Sequence, residues 1–395
     1  MIRKIHLKQF KCFQDREFSC GRLTLLTGFN GGGKSTVLQA LVLLHQSLAD
    51  GIESASARRT LALNGPLLSL GSARDVIDKV NGGQGFTIGL ASPDTEIKWH
   101  LAATEASRDN LAVSIGSIDW KPLGTSDWIT DSGGSFLPPS LLTTPANIDI
   151  LRKIHTLKYI PADRVGPEQT YPLMEPQEHE TLGPRAERAI GSMFVNTDLL
   201  VAQEMRHPSR LALEVFPRQV EAWLSDLFPG AVIDVQRVKN ANLVTLGIRT
   251  NDATDFHRPH HVGFGMTFAI PVLVALLSAK KGDAVVIENP EAHLHPRAQA
   301  RIGALCARAA AFGIQVLVET HSDHVLNGIR VAVHQGEIED EDVTVLFFSP
   351  FEEESVQSLK IDRRGRIKHW PPGFFDENAR LLDTLLEPIP RGIQE

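Results

Sequence analysis

The pattern of apolar and polar positions predicts an α/β protein. Near-continuous apolar strands alternate with helical patterns in two parts of the chain, at residues 23–48 and from residue 262 onward. Buried strands that alternate with helices are typical of a parallel sheet covered on both faces. The elements predicted there are the strands Leu23–Thr27, Ala284–Ile287 and Val316–Val318 and the helices Val37–Leu48, Phe268–Ala279 and Ala298–Ala311.

Between these two parts the pattern is weaker. Short strands and turns are predicted at 60–104, and the stretch 105–147, rich in Ser, Thr, Gly and Pro, is interpreted as surface loop. Residues 166–230 carry helical patterns. The sequence has no sustained heptads, so no long coiled-coil arm is predicted. The helices predicted in this part are Glu187–Val201 and Val220–Phe228, and the strands are Ala231–Val238 and Leu243–Ile248. The domains expected from the whole pattern are 1–165, 166–250, 251–340 and 341–395.

Composition and charge narrow the class of protein. The chain has 395 residues, of which 42% are hydrophobic, and a net charge of −7 with well-mixed signs, so the charge does not indicate a nucleic-acid partner. The longest apolar run, residues 268–279, is too short to span a bilayer, and the N-terminus lacks the apolar core of a signal peptide. The three cysteines show no metal-type spacing. We therefore expect a cytoplasmic protein with no membrane partner.

The phosphate loop is the most specific chemical signal in the sequence. A predicted strand runs directly into Gly28-Phe29-Asn30-Gly31-Gly32-Gly33-Lys34-Ser35-Thr36, which matches the Walker A pattern, and a helical pattern follows. Backbone N–H groups would turn toward phosphates, the Lys34 ammonium would neutralise them, and the Ser35 hydroxyl would bind Mg²⁺. No Asn-Lys-x-Asp motif is present, so ATP is favoured over GTP. The predicted ATP-binding residues are Asn30, Gly31, Gly32, Gly33, Lys34, Ser35 and Thr36.

Two later segments place polar residues at the ends of predicted buried strands. The strand that begins at Asp283 ends in Glu288, as a Walker B site requires, and a carboxylate there would hold Mg²⁺ through its water shell. His321 follows the strand at 316–318, at the sheet edge where α/β proteins bind ligands. A solvated acid at a strand end and a histidine in a loop are each common. Their combination with the phosphate loop favours a nucleotide site.

Together these motifs resemble the ABC-type ATPases of the RecF, SMC and OLD group. The resemblance rests on the phosphate loop, on the run from Ile287 to Pro296 (Ile-Glu-Asn-Pro-Glu-Ala-His-Leu-His-Pro) and on Glu-Thr-His-Ser at 319–322, and it covers essentially the whole chain. The tail from Leu359 to Glu377 is similar to a bacterial family of predicted ATPases that ends in a small domain of unknown function. The implied fold is an ABC-type head with a mixed central sheet, an antiparallel β lobe and a helical insertion.

The resemblance also implies catalytic roles. Glu288 takes the place of the Walker B aspartate and would bind Mg²⁺ with Ser35, and His321 is the switch histidine near the γ-phosphate. Asn289 stands where most ABC-type ATPases have the catalytic glutamate. Because an amide can orient water but cannot accept its proton, either Glu291 is the base or hydrolysis is slow.

Further residues are implied to lie at a contact between two subunits. Gly263, Phe264 and Gly265 occupy the place of the signature motif, which would reach the γ-phosphate bound by another subunit. Gly263 replaces the usual serine, so backbone groups would make that contact. His293 and His295 lie in the loop that crosses the dimer interface. The His-rich run 257–261 is interpreted as a loop and not as a metal site.

Two functions remain open at this stage. One is an ATP-gated switch subunit that forms a homodimer or higher oligomer and controls a separately encoded effector, with a nuclease in anti-phage defence as the candidate. The other is an ATPase of RecF or SMC type that acts on DNA in repair or maintenance. The acidic run Glu337–Asp342 lacks the arrangement of the nuclease domain in OLD proteins, which favours a separate effector. A small-molecule kinase is disfavoured by the long interval between Ser35 and Glu288.

Overall fold

The helices and strands are taken from a computed structural model of the chain. The structure describes residues 1–78, 83–122, 124–125, 127–173, 182–250, 255–349 and 355–387. The strands are β1 (Lys4–Phe10), β2 (Phe13–Ser19), β3 (Leu23–Gly28), β4 (Thr60–Ala62), β5 (Gly85–Ala91), β6 (Thr95–Ala102), β7 (Ala112–Pro122), β8 (Ile129–Asp131), β9 (Lys158–Ile160), β10 (Tyr171–Pro172), β11 (Val232–Arg237), β12 (Leu243–Arg249), β13 (Ala284–Glu288), β14 (Gln315–Glu319), β15 (Val343–Phe348) and β16 (Val356–Leu359). The helices are α1 (Lys34–Ser47), α2 (Ile52–Ala55), α3 (Ala73–Val76), α4 (Pro145–His155), α5 (Ala189–Val195), α6 (Phe216–Leu227), α7 (Phe264–Ser278), α8 (Pro296–Phe312), α9 (Asp323–His334) and α10 (Glu377–Leu386).

The central sheet is mixed and has six strands in the order β16-β15-β3-β14-β13-β9. The five strands from β15 to β9 run parallel, and β16 pairs antiparallel with β15 at the edge. This confirms the mixed central sheet and the three predicted strands within it. Because the parallel strands share a direction, their carboxyl ends meet at one edge of the sheet.

Both faces of this sheet are buried, as the continuous apolar strands predict. Along β13, Val285 and Ile287 pack into a hydrophobic core that includes residues of helices α5 to α9. The alternate residues, Ala284 and Val286, pack into a second core that includes α1, α4 and an antiparallel lobe. None of the described helices is both long and apolar enough to cross a membrane.

The antiparallel lobe is a seven-stranded sheet in the order β2-β1-β5-β6-β7-β4, with β8 paired to β7. This confirms the expected antiparallel β lobe, but the interpretation of 105–147 as surface loop is wrong, because β7 is one of the longest strands of the chain. A register shift in the pairing of β6 with β7 leaves an extra residue at Gly116. Val113 and Ile115 are buried before it, and Ile118 and Trp120 after it. The bulge thus reverses the period-two pattern midway along the strand.

The middle of the chain contains fewer helical residues than predicted. The helix expected at Glu187–Val201 is only α5, because the chain leaves the helix at Asn196 and Leu200 then forms a bridge with Val215. Helix α6 begins four residues before the predicted start, with Pro217 in its first turn, where proline is favoured. A small sheet, β10-β12-β11, takes one strand from before these helices and two from after them. The domain boundary expected at 250/251 abuts residues 251–254, which lie outside the described ones.

Gln315 joins the N-terminal strand region to the central sheet. Its buried side chain accepts a hydrogen bond from the Ile2 backbone N–H (2.9 Å) and donates to the carbonyls of Ile2 (2.6 Å) and Gly21 (3.1 Å). Buried backbone groups need such partners. The antiparallel lobe is therefore fixed beside the strand that leads into the phosphate loop.

Candidate nucleotide site

The phosphate loop, residues 28–35, connects β3 to α1 in the predicted strand–loop–helix context. Gly28 has φ 128°, and a Cβ atom there would lie 2.1 Å from the Phe348 carbonyl oxygen. The next residue, Phe29, donates its N–H to that same oxygen (3.0 Å). Gly33, with φ 100°, is the residue that precedes α1. The loop is therefore held against the end of β15 by contacts that only glycine permits.

The Lys34 ammonium lies inside this loop. Its Nζ atom donates hydrogen bonds to the carbonyls of Gly28 (3.1 Å) and Phe29 (2.8 Å), and the residue is 4% exposed. Burial lowers the pKa of Lys34, and the carboxylate of Glu319 acts in the opposite direction. Within the described part of the chain, no side chain caps the first turn of α1. A cation and a helix N-terminus at one place favour binding of phosphate.

Two carboxylates lie at the carboxyl edge of the sheet. Glu288 and Glu319 are register partners at the ends of β13 and β14. Glu288 accepts hydrogen bonds from the Tyr159 hydroxyl (3.0 Å) and the Ala162 N–H (3.3 Å). Burial, together with the nearby charge of Glu319, raises the pKa of Glu288 to about 7. The predicted Walker B carboxylate is thus at the expected edge.

The Ser35 hydroxyl contacts the other carboxylate. Its Oγ atom donates to Oε1 of Glu319 at 3.0 Å. Sequence reasoning gave Glu319 no role, although it ends a buried strand as Glu288 does. The sequence does not give the strand order. In the structure β14 lies between β3 and β13, and this places Glu319 next to the strand that leads into the phosphate loop.

The structure brings Glu291 and His321 together. The two oxygens of Glu291 accept hydrogen bonds from the Thr320 hydroxyl (2.6 Å) and the His321 backbone N–H (2.7 Å). Burial, with a smaller contribution from Lys34, lowers the pKa of His321, so its imidazole is neutral at physiological pH. Asn289 has φ 45° and donates its N–H to the Glu319 carbonyl (2.8 Å). The segments after β13 and β14 are therefore one hydrogen-bonded unit.

A buried arginine holds this unit from behind and was missed by sequence reasoning. Arg164 is 1% exposed and donates to the carbonyls of Glu288 (3.0 Å), Asn289 (2.9 Å) and Phe268 (2.9 Å). Burial lowers its pKa to about 10, so the guanidinium stays charged at neutral pH. It joins the end of β13 to α7. A lone Arg in a short polar run gives no sequence signal for such a role.

The predicted signature segment opens α7 as expected. Gly263 is the N-cap, and no side chain of a described residue caps the helix. A Cβ atom on Gly265 would lie 2.5 Å from the His293 carbonyl oxygen, and the His293 ring is 5.9 Å from that of Phe264. His295 begins α8, where its Nδ1 accepts the N–H of Arg297 (3.3 Å). Phe264, His293 and His295 are all exposed, and their role at an interface stays a prediction.

The C-terminal part of the chain reaches the phosphate loop. A cleft of ≈ 380 Å³ is lined by Gly28, Phe29 and His321 on one side and by residues such as Gly373 and Arg380 on the other. A Cβ atom on Gly373 would lie 2.4 Å from the Phe29 ring. The predicted small C-terminal domain is therefore adjacent to the candidate site.

A Walker A loop beside a parallel sheet, with carboxylates at its carboxyl edge, defines a P-loop NTPase. The chain belongs to the family described as "AAA domain, putative AbiEii toxin, Type IV TA system", which matches residues 23–327. A second family, "Protein of unknown function (DUF3696)", matches residues 338–385. The resemblance to a P-loop ATPase family with a small C-terminal domain of unknown function is confirmed.

Individual relatives are more distant. An OLD nuclease from Thermus scotoductus (strain ATCC 700910 / SA-01) is 22% identical over 339 residues, which is 82% of this chain and 59% of that protein. The chain thus spans about three fifths of the length of this curated relative.

Two solved SMC heads are similar in outline. One is bound to the C-winged helix domain of ScpA and is 12% identical with a TM-score of 0.48. The match covers 91% of this chain and 97% of that SMC chain. The other, with an extended coiled coil, is bound to the C-terminal domain of ScpA derived from Pyrococcus furiosus and is 12% identical with a TM-score of 0.49; the match covers 98% of this chain and 99% of that SMC chain. At these TM-scores neither likeness carries a functional inference.

Replacement of Lys34 by Ala is expected to abolish ATP binding and leave the fold intact. The change removes the cation within the loop but no apolar core volume, so the melting temperature should stay close to that of the wild type. Isothermal calorimetry measures the binding, with the exposed Lys239→Ala as the matched control. Tight ATP binding by Lys34→Ala would refute the phosphate-loop assignment.

Proposed function

We propose that this chain is a Mg²⁺-dependent, slowly hydrolysing ATPase that acts as a switch, closes head to head around ATP and controls a separately encoded effector. The observation that supports this most directly is the contact of the phosphate loop with the hydrogen-bonded unit formed by residues 288–295 and 319–321. This contact supports a link between the groups proposed to sense a γ-phosphate and the segment 263–265, which would contact a second subunit.

ATP binding follows from the charges at the site. Phosphates placed in the loop would accept hydrogen bonds from the first turn of α1, and the Lys34 ammonium would exchange its contacts with Gly28 and Phe29 for phosphate oxygens. The Ser35 hydroxyl and a carboxylate at the sheet edge would hold magnesium, since hydroxyl and carboxylate oxygens fit this hard cation. When bound, magnesium neutralises charge on the β- and γ-phosphates.

Slow hydrolysis is the expected consequence of the residues after β13. The amide of Asn289 orients water but accepts no proton. Glu291 is the nearest alternative base, yet each of its oxygens already accepts a hydrogen bond, from Thr320 and from His321. It is better placed to position His321 than to take a proton. A long-lived ATP state suits a switch.

Closure of two subunits would use the N-terminus of α7. Uncapped N–H groups at a helix start bind anions, and the segment lies beside exposed Phe264 and His293. A γ-phosphate held in the loop of one subunit would accept hydrogen bonds from these N–H groups of the other subunit. ADP lacks that phosphate and cannot make this contact, so ATP would stabilise the closed state and ADP would not.

A separate effector is inferred from the acidic run Glu337–Asp342, which lacks the arrangement of the nuclease domain in OLD proteins. The similarity to the OLD nuclease covers 59% of that protein, and residues 23–327 of this chain fall within the ATPase family. A role in defence against phage rests on this similarity and is an analogy.

The subunit contact is tested best at Gly263. Gly265 is unsuitable, because any side chain there meets the His293 carbonyl, whereas a Cβ atom on Gly263 has no heavy atom within 4 Å among the described residues. Gly263→Asp should prevent dimer formation with a non-hydrolysable ATP analogue and Mg²⁺, because its carboxylate repels the γ-phosphate. Light scattering in ATP-analogue and ADP states measures the dimer. Each separate subunit should still bind ATP.

Gly263→Ser is the matched control, since serine also caps a helix and carries no charge. It should dimerise like the wild type. Dimers that form equally with ADP, or that persist in Gly263→Asp, would exclude a switch that closes around ATP.

The effector is tested by purification of a tagged chain from its native host. A protein with nuclease activity is expected to co-purify in an amount that differs between the ATP-analogue and ADP states. Nucleotide control of an effector would be contradicted if every protein were recovered in the same amount in both nucleotide states. It would also be contradicted if Lys34→Ala recovered the same proteins as the wild type with the ATP analogue.

A further inference from the structure

Glu319 lies closer to the phosphate loop than the predicted Walker B residue does. In the central sheet, β14 is the direct neighbour of β3, and Glu319 pairs in register with Leu26, two residues before Gly28. Glu288 lies on β13, one strand further away. Neighbouring strands are about 4.8 Å apart, so Glu288 starts from about twice the distance of Glu319.

The hydrogen bonds of the two carboxylates also differ. Both oxygens of Glu288 have protein donors, the Tyr159 hydroxyl and the Ala162 N–H, on the side of the sheet away from β3. Glu319 accepts one hydrogen bond, from Ser35, through Oε1. Its Oε2 is buried and has no hydrogen-bond partner among the described residues, and the side chain belongs to a residue only 6% exposed.

A buried carboxylate oxygen without a partner is costly unless a cation or donor satisfies it. The charge of Lys34 acts on Glu319, but Lys34 donates its hydrogen bonds to the carbonyls of Gly28 and Phe29. The described residues hold no group of three or more His, Cys, Asp or Glu side chains that would bind a metal by themselves. Magnesium in nucleotide sites is usually held by one or two side chains together with phosphate oxygens and water.

From these contacts we propose that Glu319, with the Ser35 hydroxyl, forms the protein part of the magnesium site, and that Glu288 lies behind it as a supporting residue. This rests on the proposed binding of Mg²⁺ and ATP and specifies which carboxylate serves it. Because the Ser35 hydroxyl donates its proton to Oε1, the lone pairs of its oxygen remain available to a cation. Oε2 is the acceptor that remains for the cation or one of its waters.

The measurement is Mn²⁺ affinity, because Mn²⁺ substitutes for Mg²⁺ and free Mn²⁺ is followed by electron paramagnetic resonance. The protein is the full chain saturated with a non-hydrolysable ATP analogue, so no turnover is involved. Glu319→Gln should weaken Mn²⁺ binding about tenfold or more, the range seen when a residue that supports a metal is lost. Glu288→Gln, the matched control, should weaken it less.

Binding of the analogue in EDTA separates a cation-binding role from a structural one. Glu319→Gln should bind the analogue in EDTA as the wild type does, because the phosphate loop and Lys34 are unchanged. Ser35→Ala and the double variant of Ser35→Ala with Glu319→Gln complete a double-mutant cycle. The loss of Mn²⁺ binding free energy in the double variant should differ from the sum of the two single losses, since both residues serve one site.

Three results would overturn the proposal. They are a wild-type Mn²⁺ affinity in Glu319→Gln, a larger loss in Glu288→Gln than in Glu319→Gln, and loss of analogue binding by Glu319→Gln in EDTA. In each case the wild type still binds the nucleotide, so the proposed function stands. Failure of the wild type to bind the analogue at all would instead remove the proposed function, and this inference with it.

Discussion

The parallel register of β3, β14 and β13 is the constraint on which the site depends. Leu26 pairs with Glu319, and Glu319 pairs with Glu288, so the chain reaches the same sheet edge on three adjacent strands. The phosphate loop then needs only the sharp turn at Gly28 to place Ser35 beside Glu319. A shift of one residue in either pairing would turn these side chains into the opposite hydrophobic core.

This placement concentrates charge in a buried region, and the surrounding groups offset much of the cost. Arg164 lies behind the edge and donates to the carbonyls of Glu288 and Asn289, and its charge attracts the carboxylates of Glu288 and Glu291. Burial and the nearby charge of Glu319 nevertheless raise the pKa of Glu288 to about 7. Functional sites commonly retain such uncompensated charge, since a ligand then supplies the missing partner. Here the ligand would be a cation bound with a nucleotide.

Much of the fold could be predicted because its signals are local. Walker A glycines, a strand that ends in an acid and apolar strands between helices are each visible in a short window, and the central sheet follows from them. The long strand β7 was missed, because its bulge at Gly116 breaks the alternation that identifies strands. The short α5 was overestimated, because helical spacing continues beyond the point where Leu200 pairs with Val215.

The role of Glu319 and that of Arg164 could not be predicted in the same way. Both roles depend on which strands and helices are neighbours in the fold. No single segment of the sequence predicts the order of the strands. Glu288 and Glu319 look alike in sequence, as acids that end apolar strands. Only the position of β14 between β3 and β13 distinguishes them.

In the proposed switch, the γ-phosphate bound by one subunit meets residues 263–265 of another. To test this contact, the wild type is mixed with an isotopically heavy Lys34→Ala chain, and an ATP analogue with a photoreactive group on its γ-phosphate is added. Since the heavy chain does not bind the analogue through its own loop, a label is expected on its residues 263–265. A label confined to the light chain, with none on the heavy chain, would rule out this contact between subunits.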